Sequence, residues 1–343
     1  MSIPLLFLLY GLSAAALVFF SIKCADYVDL LDKKTNISGA FIGGVILAAV
    51  TSLPELVTSI SSIFIVKNPT LILGNVLGSN VFNLCIFGGT TILAVRGFTK
   101  CKVGKAHVAT ILCTLAAYLM LGVVFWLGTG ETALGQIPVV NLNIASLLIL
   151  VVYFISFRFL SNDDSTNDEE DDSPLTVKQI AVRFCIMAFG LVGMSVIVTA
   201  LTDELQAQLH LDASLAGAIF LGVATSLPEL SSSITLVRHH NYNAMVGNVV
   251  GSNMFNLTIF SIADIFSGQN IYPGPATITA PTKNMLILGA ISSLVVMGTI
   301  LVQSRIKNKP YGQKISTKAL YMLSGVLVIG CYLVSLILTE PIF

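Results

Sequence analysis

Ten apolar stretches dominate the chain, at approximately 3–22, 39–66, 70–95, 106–127, 143–160, 177–201, 213–237, 243–266, 284–303 and 317–339. Each is long enough to cross about 30 Å of hydrocarbon, which takes some 20 helical residues. Hydrocarbon offers the backbone no hydrogen-bond partners, so a segment that spans it must satisfy its own peptide groups as a helix. Charge supports the same conclusion: 10% of the 343 residues are charged, against roughly 25% in a soluble domain. The expectation is an all-α membrane protein with ten transmembrane helices. Gly, Asn and Ser interrupt the stretches at 70–95 and 243–266, which read least clearly as spans. The first stretch has no basic region before it and no clear small-residue cleavage site, so it is expected to be a spanning helix rather than a removed signal peptide.

Lys and Arg concentrate in the cytoplasmic loops of membrane proteins. Across ten spans, all the Lys and Arg residues except Lys67 and Lys283 fall in one alternate set of flanks. That set is assigned to the cytoplasm, with both termini outside. The expected location is the plasma (cell inner) membrane. Residues 161–176, rich in Asp163, Asp164, Asp168, Glu169, Glu170, Asp171 and Asp172, read as a flexible acidic cytoplasmic linker between a first half (1–160) and a second half (177–343). The linker lacks the Gly and spaced ligands of an EF-hand. The net charge is zero, which points to no nucleic-acid partner. Six cysteines without CxxC spacing read as small core hydrophobes, and His239 and His240 as a headgroup-facing flank. Asp203, Glu204 and Asp212 are loop charges that either draw cations to the outer mouth or are simply solvated.

The chain repeats itself. Thr51-Ser52-Leu53-Pro54-Glu55-Leu56 returns 174 residues later as Thr225-Ser226-Leu227-Pro228-Glu229-Leu230. Gly74-Asn75-Val76-Leu77-Gly78-Ser79-Asn80-Val81-Phe82-Asn83 returns 173 residues later as Gly247-Asn248-Val249-Val250-Gly251-Ser252-Asn253-Met254-Phe255-Asn256. Five spans separate the copies, an odd number, so the two halves are expected to be inverted relative to each other. Inverted repeats with interrupted helices are a recurring transporter design, with substrate held where the copies meet.

Glu55 and Glu229 each sit deep within an uncharged stretch, where an ionised carboxylate costs several kcal/mol without a compensating cation or water. Pro54 and Pro228 cannot donate a backbone hydrogen bond, so each is expected to break its helix and free carbonyls near Ala48 and Gly222. Thr51 and Glu55, like Thr225 and Glu229, are four residues apart, so hydroxyl and carboxylate are expected to share one helix face. Ser79 with Asn83, and Ser252 with Asn256, repeat that spacing. All are hard oxygen donors of the kind that Na+ and Ca2+ prefer. Thr58, Ser59 and Ser62, and likewise Ser232 and Ser233, extend polar faces that would line two half-pathways. HExxH and GxSxG are absent, so the chain is not read as a hydrolase or other enzyme, and no cofactor is expected.

The paired TSLPE and GNVxGSNxFN blocks resemble the alpha repeats of the cation/calcium antiporter superfamily, in its sodium/calcium exchanger branch. The resemblance covers about 39–95 and 213–266. It implies a calcium site formed by Thr51, Glu55, Thr225 and Glu229. It also implies sodium sites drawn from Ala48, Thr51, Ser52, Glu55, Ser79, Asn83, Gly222, Thr225, Ser226, Glu229, Ser252 and Asn256. Three Na+ would exchange for one Ca2+, moving net charge. Val50 and Ala224 depart from a Gly that often precedes the motif threonine. Asn256 stands where some relatives carry Asp, leaving an expected two intramembrane carboxylates and no potassium requirement. A proton/calcium antiporter is the nearest alternative, and a cation channel the alternative of another class.

Overall fold

The structure is a computed structural model that describes residues 1–34, 48–101, 103, 106–128, 136–137, 142–160, 174–267, 271–306, 314–338 and 342. Most of the acidic linker, from 161 to 173, lies outside the described residues. The helices are α1 (Ile3–Lys34), α2 (Ala48–Thr51), α3 (Leu53–Phe64), α4 (Thr70–Leu93), α5 (Val95–Phe98), α6 (Ala106–Leu127) and α7 (Ile144–Leu160), followed by α8 (Val177–Leu209), α9 (Ala213–Thr225), α10 (Leu227–Arg238), α11 (Tyr242–Ser267), α12 (Ala280–Ile306) and α13 (Lys314–Ile337). Two short antiparallel strands, β1 (Gln136–Ile137) and β2 (Leu142–Asn143), qualify the all-α expectation. They pair between α6 and α7, at the start of the stretch 143–160, where backbone groups need partners that helices do not supply.

Among the described residues, seven helices are long and apolar enough to cross a membrane, and α9 with α10, bent by 43°, makes an eighth. The protein is therefore an integral membrane protein. Of the other two expected stretches, the described residues form the shorter apolar helices α3 and α7, with 39–47 of the first stretch outside the described residues. The expected span 177–201 continues to Leu209, where His210 caps α8 in the left-handed conformation. Asp203 and Glu204 thus lie on a helix rather than in a loop. Asp203 accepts from Asn68 Nδ2 at 2.8 Å, and Asp212 caps α9 by accepting from Leu215 N at 3.1 Å.

Burial explains why Gly, Asn and Ser interrupt two of the expected spans. The apolar windows of α4 and α11 are 89% and 83% buried, against 22–50% in the other five long spans. Most of their Gly, Asn and Ser residues are buried in protein, where small residues let helices approach and amides bridge them. Lipid-facing helices show the opposite composition: α1 exposes Leu5, Leu8, Leu12 and Phe19, and buries Leu6, Leu17 and Cys24. That buried stripe packs along α8 through Leu191, Val198 and Leu205, a seven-residue repeat that keeps one seam in contact.

α4 and α11 are joined by a reciprocal pair of amides. Asn80 Nδ2 donates to the Asn253 carbonyl and Asn253 Nδ2 to the Asn80 carbonyl, each at 3.1 Å. The two asparagines occupy equivalent places in the duplicated block, so the contact is symmetric about a local two-fold relation. Around this pair, α4 also packs against α9, and α11 against α2 and α3. At Gly74 an added Cβ would overlap the Ser214 carbonyl oxygen of α9, and at Gly78 it would press on Ala218. Close contact with α9 therefore requires glycine at both positions. Facing them, residues Gly217–Gly222 of α9 widen into a π-helical turn.

Candidate cation site

Both TSLPE segments break their helices, two residues before the prolines expected to break them. Helix α2 ends at Thr51, and α3 begins at Leu53; α9 ends at Thr225, and α10 begins at Leu227. Ser52 and Ser226, at φ −92° with ψ near 0°, form the joints. A proline at the second helical position suits a helix start, where its missing N–H has no intrahelical partner to lose. The break corrects one expectation: Thr51 and Glu55 do not lie along one continuous helix face, nor do Thr225 and Glu229. Instead each threonine faces the glutamate of the other repeat, Thr51 towards Glu229 and Thr225 towards Glu55.

The serines at the joints follow the same crossed pattern. Ser52 Oγ donates to Glu229 Oε1 at 3.3 Å, and Ser226 Oγ donates to Glu55 Oε1 at 3.1 Å. Each carboxylate is thus held by the opposite repeat. Both glutamates are fully buried, and the Oε2 of each has no protein hydrogen-bond partner. Among the described residues the one ion pair is Lys23–Asp26, so no basic side chain neutralises either acid. A buried unpaired carboxylate is costly; a bound cation would compensate both charge and coordination.

The remaining donors converge from the central helices. Ser79, Asn83, Ser252 and Asn256 are fully buried. Because α4 and α11 are continuous here, the four-residue spacing does place each pair on one face. Ser79 Oγ lies 3.2 Å from the Gly222 carbonyl and 3.4 Å from Thr225 Oγ1, tying α4 to α9. Both side-chain atoms of Asn83 and of Asn256, and Ser252 Oγ, have no hydrogen-bond partner. The Gly222 carbonyl, expected to be freed by Pro228, instead accepts from Ser226 N at 3.3 Å as well as from Ser79. Ala48 opens α2, its counterpart in the first repeat. Among the described residues no three His, Cys, Asp or Glu cluster together. The donor set is therefore two carboxylates among hydroxyl, amide and carbonyl oxygens, chemistry that suits Na+ or Ca2+ over a thiophilic metal.

Three features were missed in the sequence. Asn75 of the GNV segment donates through Nδ2 to the Glu55 carbonyl at 3.0 Å, and to Thr58 Oγ1 and Ser59 Oγ at 2.9 Å. The signal was available, since Asn75 returns in the second block as Asn248. The Asn80–Asn253 pair was equally duplicated. Asp264 carried no repeat signal, yet it is a third buried acid within the expected span 243–266, 2% exposed. The expected spans therefore contain a third carboxylate beyond the two that the repeats single out. Asp264 Oδ2 accepts from Asn143 N and Ser146 Oγ, both at 2.7 Å, and Ser146 in turn meets the Tyr272 hydroxyl. This network anchors β2 and the start of α7 to the end of α11. Replacing Asp264 by alanine would strand the buried Asn143 N–H and leave the Ser146 hydroxyl with Tyr272 alone. The expected cost is about 2–3 kcal/mol, read from chemical unfolding of the detergent-solubilised protein.

A family model described as sodium/calcium exchanger protein matches residues 4–161 and 180–339. The putative antiporter CaxA of Alkalimonas amylolytica is 25% identical over 316 residues, covering 91% of this chain and 95% of that protein. The crystal structure of an H+/Ca2+ exchanger, CAX, superposes with a TM-score of 0.67 at 17% identity, over 97% of this chain and 89% of that one. The sodium-calcium exchanger NCX_Mj, soaked with 2.5 mM Na+ and 10 mM Sr2+, gives 0.59 at 20% identity, over 97% and 98%. At such identities the two structures establish a shared fold. The family match extends through both duplicated blocks and nearly all the sequence around them, and on that ground the chain belongs to the sodium/calcium exchanger protein family of the cation/calcium antiporters, transporters rather than enzymes.

Proposed function

We propose that the protein exchanges Na+ for Ca2+ by alternating access, three Na+ per Ca2+, with net charge movement and no requirement for K+. The observation that carries this reading is the crossed carboxylate pair: Glu55 and Glu229, each held through Oε1 by a serine of the other repeat, each with Oε2 unbonded. Two carboxylates balance one Ca2+, whereas three Na+ exceed their charge by one, so the two loads compete for one site. In this reading Thr51, Glu55, Thr225 and Glu229 hold Ca2+. Ala48, Ser52, Ser79, Asn83, Gly222, Ser226, Ser252 and Asn256 join them in holding Na+. The full arrangement is ten spans in two inverted five-helix halves, 1–160 and 177–343, joined by the acidic linker 161–176. It sits in the plasma (cell inner) membrane with the linker cytoplasmic and both termini outside. Asn256 supports the absence of a K+ requirement, because it supplies a neutral oxygen where an acid would add charge.

Uptake of radioactive Ca2+ into proteoliposomes tests the counter-ion. An outward Na+ gradient should drive uptake at least about tenfold above a Na+-free control, and the current should reverse at a potential that moves with the Na+ gradient. A second reading, H+/Ca2+ exchange, is favoured by the same bare Oε2 atoms, since each could carry a proton in place of sharing Na+. Uptake driven by a proton gradient and indifferent to Na+ would replace the first reading with the second.

A further inference from the structure

The two copies of the repeat are bonded differently in one respect. In the first, the Asn75 amide reaches three acceptors: the Glu55 carbonyl, Thr58 Oγ1 and Ser59 Oγ, all within 3.0 Å. Its Oδ1 also accepts from Thr225 Oγ1 of the other repeat at 3.4 Å. In the second copy, Asn248 Nδ2 donates to Ser232 Oγ at 3.0 Å and to Ser233 Oγ at a longer 3.4 Å. Asn248 Oδ1 is buried with no hydrogen-bond partner. Thr58, Ser59 and Ser62 are fully buried, whereas Ser232 is only half-buried. One polar half-path is therefore fastened to its central helix, and the equivalent half-path is held more loosely.

Two copies of one sequence motif can each adopt either arrangement. We propose that Asn75 and Asn248 are alternating latches. The engaged asparagine ties its broken helix to its central helix, closes that half-path, and grips a threonine of the opposite repeat at the ion cluster. The transport cycle hands the engaged arrangement from one asparagine to the other. Asn75 is engaged in this structure, closing the path along α3, and the path along α10 is the one free to open. Both asparagines act as positioning residues: Asn75 meets the Glu55 backbone and the Thr225 hydroxyl rather than the Glu55 carboxylate. The proposal rests on the alternating-access reading above.

Hydrogen–deuterium exchange on the full-length protein in lipid nanodiscs tests it, comparing wild type with Asn75→Ala, Asn248→Ala and the double variant. Asn75→Ala should lower amide protection of 53–64 about tenfold while raising that of 227–238, because the population moves to the opposite state. Asn248→Ala should move the same ratio the other way. The double variant should return the ratio to within about threefold of wild type, with slower Ca2+ flux, since opposed biases cancel. A merely structural role would lower protection of the variant's own helix and leave the opposite helix unchanged, so single variants that fail to raise protection of the opposite helix, or a double variant in which both helices lose the full single-variant protection, would overturn the proposal. If an alanine variant does not purify as a monodisperse protein, the serine variant at that position carries the same expectation, its hydroxyl supplying one of the lost donations. Opposed shifts in protection without coupled counter-ion flux would leave the latches standing and remove the antiport reading instead.

Discussion

Glutamine at position 55 or 229 is expected to lower Ca2+ flux on the order of 100-fold or more. Each glutamate supplies one of the two negative charges in the cluster, and no third acid among the described residues stands beside them to take its place. Removing one partner of a buried, charge-assisted contact costs about 2–5 kcal/mol, and each 1.4 kcal/mol is a factor of ten. Glutamine keeps the shape and can still accept the serine hydroxyl on its carbonyl oxygen. The fold should therefore survive, and thermal stability without Ca2+ should hold or rise, because an unpaired buried carboxylate has become a neutral amide. Radioactive Ca2+ flux in proteoliposomes, with equilibrium binding alongside, checks both halves of the expectation. A well-folded Glu55→Gln or Glu229→Gln protein with more than about a tenth of wild-type flux would remove that glutamate from the site.

Alanine at Gly74 should be nearly as damaging, for a steric reason. The new Cβ would overlap the Ser214 carbonyl oxygen and crowd the Ala218 nitrogen. Both are backbone atoms of a packed helix and cannot rotate aside as a side chain would. Helices α4 and α9 must then move apart, at about 3 kcal/mol, the upper part of the usual overpacking range. The same displacement would pull Ser79, one turn further along α4, from Gly222 and Thr225. Stability and flux should therefore fall together. Gly89→Ala on the same helix serves as the control, because a Cβ there meets nothing within 4 Å. It should be neutral or slightly stabilising by helix propensity. Equal effects at the two positions in thermal melts would mean that close approach is not what glycine provides at Gly74.

Much of this organisation was legible before any coordinates, because membranes impose simple rules. Apolar length marked the long helices, and an identical segment repeated at a fixed displacement marked Glu55 and Glu229 as equivalent. The spacing Ser79 to Asn83 survived because α4 is an unbroken helix. The spacing Thr51 to Glu55 did not, because proline tolerates a helix start better than a helix interior, and the chain broke at Ser52. Crossed contacts such as Ser52 with Glu229 join residues 177 apart in the chain. No local periodicity reports such a pairing; only packing of the two copies reveals it. Asp264 was invisible for another reason: a single acid near a span end reads as solvated until β2 and α7 are seen folded over it.

The helix breaks also set the electrical character of the pocket. Glu55 and Glu229 lie in the first turns of α3 and α10, where unpaired N–H groups and the positive end of the helix dipole favour an anion by about 0.3–1 kcal/mol, and more when partly buried. Each carboxylate is thus partly compensated by its own helix even when no ion is near. Two acids in an otherwise bare apolar cavity would grip a divalent ion too firmly to release it. A dipole that offsets some of their charge weakens the hold, and a carrier's speed depends on how readily its cargo leaves.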